Sequence, residues 1–228
     1  MFPNRIVQAT ASSSHVGLDS WVRMIHTAGA TWLLAAESSR HGFDAAWPEG
    51  RGAFLDGAVG QVSPNAEADD VFEGGWASFQ SAVHASPSEF DESSASLSVL
   101  VVRRTTQQVQ GCGLGGHRLV VVDAETSRES LFGPQDVDVV GAKNNVARVP
   151  PNITFYRTLG LNRSSPECFS FPCGGGTMVL ACNYVVARWL QPRTLPSESR
   201  LVRLIAESGY GVAWAATLPC PESATGAI

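Results

Sequence analysis

Asn183 and Tyr184 stand at the end of an apolar run that is typical of a buried strand. The run covers 177–182, and a short apolar segment over 185–190 predicts a helix directly after the two polar residues. Strand ends that lead into helices are common places for a fold to present chemistry at its surface. A tyrosine hydroxyl at such a place can transfer protons, and an asparagine amide can hydrogen-bond a polar ligand.

A second polar group follows the run over 31–36, which is apolar at every position and predicts a central strand. Glu37, Arg40 and His41 lie in the turn-like segment 37–42 that comes next. Carboxylate and imidazole groups are residue types that act as general acids or bases. Glu37 and Arg40 also carry opposite charges close together in the chain, so an ion pair of little net energy is the plainer alternative.

The remaining patterns predict the elements that must position these side chains. Strands and helices are segregated along the chain, which favours an α+β layered sandwich in one domain over 1–228, with a frayed tail over 219–228. Segments 43–65 and 169–173 are expected to be loops. The strand patterns predict a hairpin of 21–26 and 31–36, an antiparallel meander of 96–104, 107–112 and 117–123, and a closing strand over 211–217. A helix is predicted over 67–85, with Asn65 as its cap and an apolar stripe of Phe72, Trp76, Phe79 and Val83. A short helix is predicted around 153–159, and a last helix runs from its cap Ser197 to Gly209.

Composition and charge exclude several function classes. The 228 residues are 44% hydrophobic and 16% charged, and their formal net charge of -5 gives no electrostatic reason to expect nucleic acid or an anionic membrane as a partner. No stretch approaches the roughly 18 apolar residues that cross a bilayer. The N-terminus lacks a basic segment followed by an apolar one, so we expect no signal peptide and a cytoplasmic location.

The cysteines and one histidine suggest no separate site. No C-x-x-C pair occurs, so a zinc site has little support, and reduced, mostly buried thiols are expected. Cys168 and Cys173 are the two that could approach each other across their loop. Cys182 lies on the buried strand over 177–182 with no adjacent base, which argues against a nucleophile. His117 is expected in a turn, facing solvent or a backbone carbonyl.

Four short segments together resemble the metal-dependent serine/threonine protein phosphatases of type 2C, and the match spans nearly the whole chain. Leu-Gly-Gly-His-Arg over 114–118 is similar to the family's Gly-Asp-Ser-Arg turn, and 95–98 stands where the family has its Gly-Ser/Thr-Thr strand start. Segment 152–160 is similar to Leu-Thr-x-Ala-Leu-Gly, and 180–185 is similar to the strand end Ser/Thr-Asp-Gly-Leu. The resemblance implies a four-layer-type β-sandwich, in which helices flank two antiparallel sheets.

The same resemblance implies that the family's metal site is degraded here. Family members hold two divalent metals with carboxylates, which generate the attacking hydroxide, and Mg²⁺ and Mn²⁺ require hard oxygen ligands. Asn183 and Tyr184 stand where the family has Asp-Gly, and Tyr210-Gly211 stands where the family's closing strand starts with Asp-Asn. Glu37 could keep one carboxylate, and Asp19 is the only plausible retained metal ligand. Two carboxylates are too few, so no metal cofactor is expected, and Mn or Mg belongs only to a residual phosphatase.

In this family the strand ends converge on a cleft between the two sheets. The cleft could bind a phosphate or another small polar ligand, or it could be a relic filled by its own side chains. The residues that the resemblance places there are Asp19, Glu37, Arg40, His41, Asn183 and Tyr184.

Two functions follow from this interpretation. The first is a pseudophosphatase, a non-catalytic regulatory module that binds a protein partner or a small polar or phosphorylated ligand. The alternative is an enzyme that uses the same cleft. It would be either a residual metal-dependent phosphoprotein phosphatase acting through Asp19 and Glu37, or a repurposed metal-independent enzyme with Glu37, His41 and Tyr184 as catalytic residues.

Overall fold

The computed structural model of the chain has ten strands and four helices among the residues that it describes. The described residues are 6–10, 22–39, 48–85, 96–114, 117–122, 129–132, 166–174, 176–187, 195–208 and 212–221. The strands are β1 (Ile6–Thr10), β2 (Val22–Thr27), β3 (Ala30–Ser39), β4 (Ser96–Arg104), β5 (Gln108–Leu114), β6 (Arg118–Val122), β7 (Glu129–Phe132), β8 (Glu167–Pro172), β9 (Met178–Cys182) and β10 (Val212–Leu218). The helices are α1 (Pro48–Gln61), α2 (Ala68–Ala85), α3 (Tyr184–Ala187) and α4 (Glu198–Ser208).

These elements form two compact units, each built on one five-stranded sheet. The sheet of the first unit has the strand order β1-β10-β9-β6-β7 and is accompanied by α3 and α4. The sheet of the second unit has the order β2-β3-β4-β5-β8 and is accompanied by α1 and α2. Every strand pair is antiparallel. The prediction of an α+β fold with two antiparallel sheets and a few helices is therefore confirmed.

The core of the second unit is organised around β3. Gly29, with φ of 80°, makes the turn of the β2–β3 hairpin, a backbone conformation that glycine adopts without the penalty of a Cβ. Trp32 and Leu34 are fully buried and pack with the side chains of α1 and α2 in one hydrophobic cluster. Leu33, which points to the opposite face of the sheet, is buried as well. The predicted central strand is confirmed, because both of its faces are covered.

Helix α1 lies where the sequence predicted a loop, and the loop prediction for 43–65 is wrong over this part. Its glycines and alanines weaken the helical pattern, but one of them, Gly57, serves close packing against α2. A Cβ on Gly57 would lie 2.6 Å from the carbonyl oxygen of Gly74 on α2. Phe54 of α1 also meets Phe72 of α2 edge to face, with 5.7 Å between ring centroids. Gly57 therefore allows the two helix backbones to approach.

Helix α2 agrees with the prediction except at its start. It begins at Ala68, and the N–H of Val71 donates to the carbonyl of Glu67, so Asn65 is not the cap. Phe72, Trp76 and Phe79 of the predicted stripe are buried. The side chain of Val83, at the end of that stripe, is outside the described residues. The stripe is the surface that α2 turns toward the core of its unit.

The predicted three-stranded meander is wrong, because its third strand belongs to the other sheet. β4 and β5 pair as expected, but β6 pairs with β7 and β9 in the first unit. All five residues of β6 are buried, so the strand carries no polar face that would indicate its neighbours. A short glycine-rich connection thus carries the chain from one sheet to the next.

The segment predicted as the loop 169–173 is mostly a strand, and it carries a disulfide. β8 forms the edge of its sheet, where it faces β5, and its alternating exposure is typical of a strand with one covered side. Cys168 of β8 stands opposite Cys112 of β5 and is bonded to it. The expectation of reduced thiols is wrong for these two residues, and Cys168 does not pair with Cys173.

The first unit contains the predicted last helix and closing strand. The hydroxyl of Ser197 accepts the N–H of Arg200, so it caps α4 as expected. Leu201, Leu204 and Ile205 are buried against the sheet. The short helix predicted around 153–159 lies outside the described residues. Among the helices that the structure describes, none is both long and apolar enough to span a bilayer.

Candidate functional site

Asn183 lies at the junction of β9, α3 and β10 in the first unit, and it is fully buried. Its Nδ2 donates to the carbonyl of Val212 over 3.1 Å. Its Oδ1 accepts the N–H groups of Val186 and Trp214, each over 3.4 Å. The backbone N–H of Asn183 also donates to the carbonyl of Trp214 over 3.2 Å. One side chain thus caps the short helix and ties it to the closing strand.

This bonding pattern requires an amide. An ionised carboxylate only accepts hydrogen bonds, so it could not donate to the Val212 carbonyl. A divalent cation would need an oxygen lone pair directed into an open space, whereas the Oδ1 of Asn183 already accepts two backbone N–H groups in a site closed to solvent. The residue at this position therefore does not fit a metal ligand.

The other predicted site residues divide between the units and the undescribed segments. Tyr184 is the first residue of α3, directly after Asn183, and its side chain is outside the described part of the chain. Glu37 belongs to the second unit, where it is half-buried on β3 opposite Ser98 of β4. The predicted site residues outside the described segments are Asp19, Arg40 and His41. Their convergence with Glu37 and Asn183 stays a prediction.

His117 and Cys182 are more buried than a surface site would require. His117 is 3% exposed, and its ring lies 5.5 Å from that of Trp214, so the predicted orientation toward solvent is wrong, while the alternative of a backbone carbonyl stays a prediction. His117 directly precedes β6, a strand that is buried at every position, so the histidine lies in the interior as well. Cys182 is fully buried in β9. Within the segments that the structure describes, no three His, Cys, Asp or Glu side chains gather in a metal-binding arrangement.

Sequence inspection missed one group of side chains around a buried arginine. Arg104, Cys173 and Cys220 lie together in the second unit, although they are distant in the chain. No spacing motif joins them, and each follows or ends a different strand. Only the folded arrangement identifies them as a cluster.

Solved structures show what fold this chain has. The Mycobacterium tuberculosis serine/threonine phosphatase PstP/Ppp superimposes with a TM-score of 0.63 at 13% identity, over 95% of this chain and 98% of that one. The catalytic domain of PstP in complex with two manganese ions gives 0.62 at 12% identity, over 96% and 100%. PppA, a regulatory component of the type VI secretion system in Pseudomonas aeruginosa, gives 0.60 at 13% identity, over 94% and 99%.

The chain has the type 2C phosphatase fold. The agreement extends over almost the full length of both partners, so the resemblance drawn from four short sequence segments is confirmed for the fold. No protein-family model and no curated protein sequence matches the chain. The fold is therefore recognisable in three dimensions, while the sequence is only 12–13% identical to these three phosphatases.

Proposed function

We propose that this chain is a degenerate, non-catalytic relative of the type 2C phosphatases, which serves as a regulatory module and binds a protein partner or a small polar or phosphorylated ligand. The observation that carries the proposal is the environment of Asn183. The sequence resemblance matches this residue with an aspartate of the family. Here a neutral amide occupies the position, is fully buried, and uses its side-chain atoms for hydrogen bonds to the protein backbone.

The chemistry of the lost site supports the absence of turnover. A metal-dependent phosphatase stabilises its hydroxide nucleophile with divalent cations, which need several carboxylates at once. Asn183 cannot contribute one, and the sequence offers Tyr210-Gly211 where the resemblance expects the pair Asp-Asn. Asp19 and Glu37 are the carboxylates that remain from the pattern. Two carboxylates are too few to hold a metal pair.

The residues after β3 support a ligand of opposite charge. Arg40 and His41 follow closely on Glu37, and the family resemblance places all three at the cleft. An arginine presents several N–H donors in a planar fork that matches phosphate oxygens. A phosphorylated group is therefore the ligand chemistry that we assign to this segment, either free or on a partner protein.

A phosphate-release assay tests the proposal. Chelator-treated wild-type protein is incubated with a phosphoserine peptide in the presence of Mn²⁺, of Mg²⁺ or of neither, and Asp19→Asn is measured in parallel. We expect no release above the peptide blank in any condition. Metal-dependent release that Asp19→Asn abolishes would overturn the proposal in favour of a residual phosphatase. Metal-independent release that His41→Ala abolishes would overturn it in favour of a repurposed enzyme.

Binding is measured separately by calorimetry with inorganic phosphate and with the same phosphoserine peptide. We expect a complex that Arg40→Met weakens and that produces no free phosphate. The matched control is Arg23→Met, because Arg23 carries the same charge on β2 and pairs with Asp56. Equal weakening by both variants would contradict a ligand site at Arg40.

A further inference from the structure

A disulfide of the second unit joins an exposed cysteine to a buried one. Cys168 of β8 and Cys112 of β5 stand directly opposite each other and are bonded, with 4.2 Å between their Cα atoms. Cys112 is 2% exposed and belongs to the hydrophobic cluster that β3 shares with α1 and α2. Cys168 is exposed, and its strand is the edge of the sheet. A reagent in solution can therefore reach this bond from the Cys168 side, and exposed disulfides are typically the labile ones.

Strand β8 has few other restraints. None of its six residues is buried, whereas all five residues of β9 are. Gly111 of β5 stands opposite Phe169, whose ring covers it, because a Cβ on Gly111 would collide with that ring. The side chains of Gln108 and Ser170 form a hydrogen bond at the surface. An edge strand that buries so little opens locally at low free energy, so the covalent bond is its main restraint.

Access decides which sulfur of the bond is attacked. The rate of thiol–disulfide exchange depends on which of the two sulfurs the attacking thiolate can reach. Cys168 meets solvent, whereas Cys112 is covered by the core, so attack at Cys168 is favoured and Cys112 is the leaving group. Apolar surroundings disfavour a thiolate, so Cys112 takes up a proton as it leaves. The neutral thiol that results is a small apolar group, which a hydrophobic cluster accommodates.

We propose that the bond between Cys112 and Cys168 is a reversible disulfide, and that Cys168 is the site at which small thiols such as glutathione attack it. The glutathione thiolate bonds to the sulfur of Cys168, the bond to Cys112 breaks, and Cys112 takes a proton from solvent. A second glutathione thiolate then attacks the glutathione sulfur of this mixed disulfide and releases Cys168 as a thiolate. The protein disulfide is reduced to two thiols, and two glutathione molecules are oxidised to one disulfide.

The response to reduction is confined to the edge of the sheet. Strand β5 keeps its pairing with β4, and β4 keeps its pairing with β3, because neither pairing involves the disulfide. Beyond the far end of β8, the N–H of Cys173 donates to the carbonyl of Gln107 over 2.8 Å, which restrains the segment after the strand. Reduction therefore frees 167–172 to separate from β5, while the rest of the unit stays folded.

A redox titration of the wild-type chain tests the proposal. The native protein is equilibrated in glutathione buffers of increasing reduced fraction, quenched with acid, denatured, labelled with a maleimide and mapped by peptide mass spectrometry. We expect Cys112 and Cys168 to gain labels together and to lose them when oxidised glutathione is restored. Cys182 is the internal control, because its thiol should be labelled in every buffer after denaturation. A bond that persists in fully reduced glutathione until the chain unfolds would overturn the proposal.

Hydrogen exchange in the same buffers measures the response of β8. We expect amide exchange over 167–172 to become at least about tenfold faster on reduction, because a lost cross-link commonly costs more than this factor. Amides of α4, which belongs to the first unit, should exchange at an unchanged rate. Reduction without faster exchange over 167–172 would contradict the release of the strand.

Two single variants test the direction of attack. Each is treated in its native state with oxidised glutathione, and adducts are mapped by peptide mass spectrometry. Cys112→Ala keeps the exposed thiol and should form an adduct at Cys168, whereas Cys168→Ala keeps the buried thiol and should form none at Cys112. Equal adducts at both positions would contradict selective attack at Cys168. The titration of the wild type does not depend on the folding of either variant.

Discussion

Replacement of Asn183 by aspartate would restore the residue type that the phosphatase resemblance places at this position, and we expect it to destabilise the protein strongly. The carboxylate could not donate to the Val212 carbonyl, which would lose the 3.1 Å bond from Nδ2. Loss of the donor to this part-buried carbonyl costs about 1–3 kcal/mol. Burial of the new charge adds about several kcal/mol, and the two backbone N–H groups that now reach Oδ1 offset part of it. We expect a net loss of about 3–5 kcal/mol at neutral pH.

The loss should depend on pH in a defined direction. Burial raises the folded-state pKa of an introduced carboxyl above its unfolded value of about 3.9. The destabilisation is therefore complete above the folded-state pKa, and it shrinks as the pH falls through that pKa toward the unfolded value. Below the folded-state pKa, the protonated carboxyl can again donate to the Val212 carbonyl.

Urea unfolding followed by tryptophan fluorescence measures both effects, because unfolding exposes the buried Trp214, whose backbone N–H donates to the Asn183 side chain. Wild type and Asn183→Asp are compared at about pH 7.5 and about pH 4.5, on either side of the expected titration. Asn65→Asp is the matched control: Asn65 is exposed, so its change should stay within about 0.5 kcal/mol at both pH values. Stability of Asn183→Asp equal to that of the wild type at the higher pH would refute the structural role of the amide.

Three further predictions concern the fold. Gly57→Ala should lower the free energy of unfolding by about 1–3 kcal/mol, because its Cβ would collide with α2. Gly60→Ala has open space around the new Cβ and should be neutral or stabilising. The urea unfolding midpoints of the two variants test this difference, and equal midpoints would contradict it. Cys112→Ala combined with Cys168→Ala should cost about 4 kcal/mol by loop closure over a sequence separation of 56, and an unchanged thermal midpoint would contradict this. Ser197→Ala should cost about 1 kcal/mol by removing the α4 cap, and a loss below the error of the denaturation curve would argue against the cap.

Local patterns in the sequence predicted the elements that have a clear periodicity. The stripe on α2 and the cap and apolar face of α4 are examples, because each depends on residues within a few positions of one another. Helix α1 escaped prediction because its glycines lower the intrinsic helix propensity, and the contact with α2 that Gly57 allows is not visible in the sequence. β6 was assigned to the wrong sheet because a strand buried at every position does not indicate its neighbours.

The sequence located part of the candidate site, but it did not show what that part does. The strand end at Asn183 was recognised from the apolar run before it. The partners that define its role, Val212 and Trp214, lie 29 and 31 residues further along the chain. The pairing of Cys112 with Cys168 depends likewise on β8 joining β5, across a sequence separation of 56. Such long-range contacts depend on tertiary packing, which one sequence does not display.

The most direct test of the proposed loss of phosphatase chemistry is a calorimetric titration of purified, chelator-stripped protein with Mn²⁺ and then with Mg²⁺. Asp19→Asn is titrated in parallel, because Asp19 is the one metal ligand that the resemblance retains. The proposal predicts no specific heat of binding for either ion, and identical traces for the wild type and the variant. Tight binding of Mn²⁺ by the wild type that disappears in Asp19→Asn would contradict it and would return the chain to the metal-dependent phosphatases.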